Sequence, residues 1–383
     1  MTSFYEKWLK KQALVSTTQP LSSEIESNDK DYLSDIGYKK IGWRNFRRKI
    51  QFLLSGQNQH LRHKIDPTWK RGLWIYKGIP QIGDALMDLA PRSLLQKQGL
   101  RIDLYTDHHL AVLFDGDPWF DKVYDNPKKI TCKNYDFVII PSHKRRSLKY
   151  KFDTFPETAW ISIHEFYTGP EFHRGKFAAQ RIIDLLDNKT TTINFAWHQQ
   201  QKLIPLFDSQ TENNKLIKIA YAMGGVDKNR TYSNWSTFTR ELIKSNIKFE
   251  LTLLGSENAT TTANEFANEF NGNLKIVNKV NKTGITECRK LIHQQDILIT
   301  ADGGLMHLGS TTKVKLISLF HAKINPCWRL SGVHLQSALQ STTNSVSDIA
   351  SADIVQTCIR LLIDKTSACS DNAIDNAIDN LSQ

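Results

Sequence analysis

The chain has little of what would place it in a membrane or an oxidising compartment. Only five of its 383 residues are cysteine (Cys132, Cys288, Cys327, Cys358, Cys369), scattered and without a CxxC pair. A disulfide framework and a structural zinc site are both excluded on that spacing. No apolar run approaches the roughly 18 residues that a membrane span needs. The first residues, MTSFYEKWLKK, lack the apolar stretch of a secretory leader. A reduced, cytoplasmic protein is expected. Acidic residues are short in supply as well: 39 against 50 lysines and arginines, a net charge of +11. That balance calls for an acidic partner, whether nucleic acid, anionic lipid or a phosphorylated substrate. Nucleic acid fits least. There is no RNP-type aromatic pattern and no helix-turn-helix signature, and the cations are not interleaved with aromatics on a clear strand.

What is present is an alternation of strands and helices in a chain too long for one core. Residues 1–70 form an N-terminal extension. In it the polar stretch TTQPLSSEIESNDKD precedes IGWRNFRRKIQFLLSG, residues 41 to 56. Ile41, Phe46, Ile50, Leu53 and Leu54 can share one helical face, with Arg44, Arg47, Arg48 and Lys49 largely off it. Such a helix suits an anionic membrane surface or docking on the protein's own core. From residue 71 onward GLWIYKG, RIDLYTD, YDFVIIPS and WISIHEF read as strands. ALMDLAPRSLLQKQG reads as one helix ending at Gly99. A polar segment near 185–215 marks a linker, and a second α/β series follows to about residue 364. The tail, 365–383, repeats NAID and is expected to be disordered. The pattern predicts an α/β protein with two Rossmann-like domains, 71–200 and 201–364. Their parallel sheets would face a central cleft, with ligands beyond the C-terminal strand ends.

Four stretches carry chemistry. In TADGGLMHLGSTT, Asp302 ends the strand DILIT, and Gly303 and Gly304 open the way for close backbone approach. The helix that follows offers free N–H groups and a positive dipole end to a phosphate. Asp302 would repel a phosphate, so it suits sugar hydroxyls beside it; the plainer reading is a helix N-cap. In IAYAMGGVDKNR, Gly224 and Gly225 with Lys228 and Arg230 suit a diphosphate, or form a turn with a basic loop. In WIYKGIPQIGDALMDLAP, Asp84 lies near a helix start, where a carboxylate can act as general base or as a cap. In HKRRSLKYK, Lys144, Arg145 and Arg146 can pair with a phosphorylated ligand or form a solvated loop. Asp115-Gly116-Asp117 has the form of a metal-binding DxD, but it lies in a turn far from the donor half. His108-His109 and His164-Glu165 lack further spaced partners. No metal is expected.

The order of these sites resembles glycosyltransferase family 9, the heptosyltransferases of lipopolysaccharide core assembly, which have a GT-B fold. The family's first motif stands here as IGDALMDLAP and its last, D-[TS]-G-x-x-H-L, as DGGLMHL. The stretch LFDGDPWFDKVYDN is also similar to the family's loop after the second strand. The similarity runs over roughly residues 71 to 362. It implies an inverting, metal-independent, cofactor-free transfer of a heptose or hexose from a nucleotide-diphosphate sugar, ADP-heptose favoured. The acceptor would be a lipopolysaccharide or lipooligosaccharide core, a phosphorylated glycolipid met at the inner face of the inner membrane. On the resemblance, 71–200 is the acceptor domain and 201–364 the donor domain. Asp84 is then the base and Asp302 binds the donor sugar. Gly224, Gly225, Lys228 or Arg230, Gly304 and the backbone of Leu305 and Met306 hold the diphosphate, with Gly303 and His307 in the same donor motif. Lys144, Arg145 and Arg146 face the acceptor. The chain departs from the family at Gly303, where Thr or Ser is usual, in VDKNRTYSN, where K-x-W-P is usual, and in its extension. A non-catalytic nucleotide-sugar-binding relative is the alternative.

Overall fold

A computed structural model of the chain describes residues 4–17, 36–167, 171–186, 201–204, 206, 216–330 and 336–363. Nearly all of TTQPLSSEIESNDKD, most of the expected linker and the NAID tail lie outside the described residues. The chain forms two compact units: Met1–Pro205 with Cys327–Ser331, and Leu206–Pro326 with Gly332–Gln383.

In the first unit, helices α1 (Phe4–Thr17) and α2 (Tyr38–Leu54) precede the sheet. Strands β1 (Arg71–Tyr76), β2 (Arg101–Thr106), β3 (Val123–Tyr124), β4 (Phe137–Ile140) and β5 (Ala159–Ser162) then alternate with helices. The helices are α3 (Ile82–Asp88), α4 (Arg92–Lys97), α5 (His108–Phe114), α6 (Arg145–Thr154) and α7 (Arg174–Leu185). All strand pairs are parallel, in the order β3-β2-β1-β4-β5. LWIY and FVII are buried throughout, as strands covered by helices on both faces must be. The helix expected over ALMDLAPRSLLQKQG is instead two helices. Pro91 has no N–H for the i−4 ladder and disfavours helical geometry at Ala90, so α3 ends before it and α4 starts after it. HKRRSLKYK contributes the cap and first turns of α6.

The amphipathic helix α2 docks on its own unit, but not by the expected face. Ile41, Asn45 and Phe52 are buried and Phe46 is half-buried, whereas Ile50, Leu53 and Leu54 are exposed. The reason is the partner helix. A Cβ on Gly42 would stand 2.4 Å from the Leu9 carbonyl oxygen, so only glycine lets α1 lie this close. Asn45 Nδ2 ties the pair by donating to the Gln12 carbonyl at 2.8 Å. Phe52 stacks on His143, with ring centroids 5.3 Å apart, and meets Trp160 edge-on at 5.8 Å. The chain then runs along β5: Leu61 bridges Trp160, Arg62 N–H donates to the Trp160 carbonyl, and Trp160 Nε1–H donates to the Gln57 carbonyl.

The DxD-like turn has a structural role. Buried Asp117 accepts from Arg92 Nε at 3.0 Å and from Nη2 at 2.6 Å. The guanidinium lies over the rings of Phe114, Trp119 and Phe120. Asp117 is therefore one half of a buried, bidentate ion pair.

In the second unit, strands β6 (Ile217–Ala222), β7 (Phe249–Leu254), β8 (Ile276–Asn278), β9 (Ile297–Ala301), β10 (Lys315–Phe320) and β11 (Gln336–Gln340) are again all parallel. Their order is β11-β10-β9-β6-β7-β8. Helices α8 (Trp235–Lys244), α9 (Thr260–Glu269), α10 (Ile285–His293), α11 (Gly304–Gly309) and α12 (Ser351–Ile363) connect or close them. The core gathers Tyr221, Trp235, Phe238 and Phe266. Each sheet reverses its winding at one place, between β1 and β4 in the first unit and between β6 and β9 in the second. Adjacent strands at such a switch point send their loops apart and leave a crevice at their C-terminal ends. No described helix is long and apolar enough to cross a membrane.

Candidate active site

In the first unit, the loop after β1 leads to α3 and the loop after β4 leads to α6. The two loops flank the switch point and share a cavity of about 920 Å³. Asp84, Lys144, Arg145 and Arg146 all line it, so the predicted base and the predicted acceptor cations come together. Asp84 is the third residue of α3, with 31% of its side chain accessible. Arg174 Nη1, from the start of α7, stands 3.4 Å from its Oδ2.

One helical turn on, at the same face, lies Asp88, which sequence reasoning missed. It is buried and hydrogen-bonded with Tyr76 Oη at 3.0 Å, His164 Nε2 at 3.0 Å and Arg174 Nε at 3.0 Å. Burial alone would raise its pKa, but the charge of Arg174 and then His164 outweigh that and hold the carboxyl well below its ordinary range. Arg174 is thus anchored on Asp88 and extends to Asp84. The signal for Asp88 was available, as IGDALMD spaces two carboxylates at i and i+4 on one helix face. For Arg174 there was none: it pairs across 86 residues of chain. His164 holds Asp88, and its neighbour Glu165 pairs with Arg181.

In the second unit, the loops after β6 and β9 flank the corresponding switch point. The first carries Gly224, Gly225, Lys228 and Arg230, and the second carries Asp302, Gly303 and α11. Asp302 is buried, and its Oδ2 accepts from Arg230 Nη1 at 3.3 Å. His307 Nε2 stands 4.0 Å from Oδ1. Lys228 is exposed. Of the two candidate cations, Arg230 is the one that joins the GG turn to the DGG motif. Gly304 is exposed, Leu305 half-buried and Met306 buried at the start of α11.

The glycines divide by role. A Cβ on Gly225 would lie 2.6 Å from Thr231 Oγ1 and 3.0 Å from the Arg230 carbonyl oxygen, so its bareness sets the turn that places Arg230. Gly303 is different: its φ of 173° is open to any residue, and a Cβ there would meet only the Ala301 carbonyl oxygen, at 3.8 Å. The protein itself has room for the hydroxyl residue usual in the motif. Gly303→Ser is therefore expected to change stability by less than about 1 kcal/mol, and Gly225→Ala to cost about 1–3 kcal/mol. Chemical denaturation of the two variants checks this ordering; equal losses would refute it.

Two doubly wound parallel α/β units, each with polar motif residues at its switch point, have the architecture of the GT-B fold. Residues 168–351 match the family model described as Glycosyltransferase family 9 (heptosyltransferase). That stretch, just under half of the chain, is similar to the family. The matched stretch includes Arg174, the GG turn and the DGG motif, and begins after Asp84. Among solved structures, the family 9 glycosyl transferase of Veillonella parvula is 14% identical, with a TM-score of 0.60 over 79% of this chain and 100% of that one. Escherichia coli ADP-heptose lipopolysaccharide heptosyltransferase II is 15% identical, with a TM-score of 0.60 over 76% of this chain and 98% of that one. E. coli heptosyltransferase WaaC with ADP is 14% identical, with a TM-score of 0.55 over 76% and 99%. No curated protein matches the sequence.

Proposed function

We propose that the enzyme transfers a sugar, with inversion and without a metal ion, from a nucleotide-diphosphate sugar to a phosphorylated glycolipid acceptor at the cytoplasmic face of the inner membrane. The first unit takes the acceptor and the second takes the donor. The observation that carries this reading is that both units bring their motif residues to the switch point, where such sheets bind ligands. ADP-heptose is the favoured donor, because the matching family is one of heptosyltransferases.

In this mechanism the acceptor hydroxyl oxygen attacks the anomeric carbon from the face opposite the diphosphate, and Asp84 takes its proton. The bond from the anomeric carbon to the diphosphate oxygen breaks through an oxocarbenium-like state. Arg230, Lys228 and the N–H groups of Gly304, Leu305 and Met306 meet the charge that develops on the leaving group. Gly224 and Gly225 keep the facing turn close, while Asp302 accepts hydroxyls of the donor sugar.

The donor test is a thermal-shift panel of ADP-heptose, other nucleotide sugars and ADP. At about one hundred times its Kd a true donor adds roughly 2.7 kcal/mol. ADP-heptose is expected to give the largest shift. A panel in which no nucleotide sugar moves the melting temperature would sink the reading. Product NMR should then show the opposite anomeric configuration, with turnover unchanged by EDTA.

A further inference from the structure

His143 stands in the loop after β4, one residue before Lys144. It is 2% exposed, and among the described residues neither its Nδ1 nor its Nε2 has a hydrogen-bond partner. Buried polar groups are normally paired, because an unpaired one has lost its water for nothing. The ring sits instead in a box of aromatics. Phe52 of α2 stacks on it, and Trp160 of β5 and Phe166 meet it edge-on, with centroids 5.1 Å and 4.4 Å away. Its backbone N–H donates to the Glu165 carbonyl at 2.8 Å. Such a box suits a neutral imidazole. Stacking on Phe52 would favour the cation, but both of its N–H donors would be buried without acceptors. The charged groups around it do not help. Arg181 of α7 and His63 oppose a further positive charge, and Lys144 follows in the chain with Arg48 near it. The carboxylate of Glu165 is held by Arg181. Burial first, then Arg181 and His63, push the pKa of His143 down from 6.5 to about 3.

We propose that His143 is an acid-sensitive latch for α2: the ring takes up a proton only when Phe52 leaves the box, so acid favours release of the helix from the sheet. Because the docked ring titrates below the unfolded value of 6.5, docking is at full strength above about that pH. As the pH falls from there toward 3, the released state binds a proton that the docked state refuses. Docking then weakens by about tenfold per pH unit. The contacts that hold the next segment, from the Trp160 indole N–H to the Gln57 carbonyl and from the Arg62 N–H to the Trp160 carbonyl, carry no titrating group. The latch bears on the candidate site as well. Lys40, Arg44, Arg47 and Arg48 of α2 line the cavity that holds Asp84, so release of the helix removes one of its walls.

The test is amide hydrogen exchange of the full-length protein between about pH 7.5 and 5.5, read over residues 50–62 and corrected for the intrinsic rate at each pH. The opening constant of the wild type should rise about tenfold more than that of His143→Phe, which keeps a stacked ring and cannot take a proton. Comparing the two cancels the share of His60, whose pKa burial and then Lys151 and Arg62 also lower. Strand β9, in the other unit, should show no difference between them. Phe52→Ala opens the box without touching the imidazole, and it gives a second reading should the phenylalanine pack poorly. In that variant the His143 ring, followed by NMR, should titrate near 6.5, whereas in the wild type it should stay neutral at about pH 5.5. Equal rises in the wild type and His143→Phe, or a wild-type His143 that titrates near 6.5, would overturn the proposal. No donor, acceptor or turnover enters the assay, so its outcome is independent of the reading of sugar transfer.

Discussion

Replacing Asp84 by asparagine is expected to lower kcat by about 10²- to 10⁴-fold, the range that a positioned general base supplies. Asparagine keeps the shape and can still accept from Arg174, so the fold around α3 should survive. It cannot accept the acceptor's proton at neutral pH. Donor affinity should be unaffected, since the residues proposed to hold the donor lie in the other unit. The measurement is initial-rate release of the nucleotide diphosphate, paired with donor binding by calorimetry. Turnover at the wild-type rate would remove Asp84 from the mechanism. Loss of donor binding along with turnover would show that the substitution had damaged the fold rather than the base.

The second large effect is expected at Asp88, although it touches no substrate. Asp88→Ala leaves Arg174, His164 and the Tyr76 hydroxyl around an empty buried site. Removing one partner of a fully buried pair costs roughly 3–5 kcal/mol; because Arg174 keeps some contact with solvent, about 2–4 kcal/mol is expected here. For a unit of this size that is about 2–4 °C of melting temperature per kcal/mol. The pH dependence follows from the same pairing. The folded carboxyl titrates well below its unfolded value of about 4, so its stabilisation is present above that pH and drains away as the pH falls beneath it. The wild type should therefore lose stability steeply on its acid limb, and Asp88→Ala should show a shallower one. Turnover should fall too, because Arg174 loses its anchor and no longer holds Asp84 from one side. A variant with full stability and an unchanged acid limb would contradict this account.

How much of this could be read from the sequence depends on the range of the interactions. The strands were legible because parallel sheets bury both faces, so LWIY, FVII and ILIT stand out as unbroken apolar runs. The two turns were legible because consecutive glycines at a strand end have few other uses. β11, QSALQ, was not legible: it lies at the sheet edge, only partly buried, and has no apolar run. The break at Pro91 was written in the sequence and was overridden by the apolar periodicity around it. Arg174 could not be found at all, since nothing local distinguishes it from the many other cations of the chain. The cations of α2 were visible as a basic helix, but which surface they faced depended on where Gly42 and Phe52 seated it. That is tertiary information, and it turned the helix's charges toward Asp84.

The covering of β5 by residues 57–62 has a consequence for what the leading segment contributes to the fold. Peptide groups at the rim of a sheet are adhesive: left bare, they recruit strands from other molecules. Here the Trp160 carbonyl and indole N–H are already engaged by Arg62 and Gln57. A chain cut to begin near residue 70 would lose that guard, along with the Phe52 plug beside it. It would emerge with a sticky rim and a greasy socket side by side, and self-association would be its natural fate.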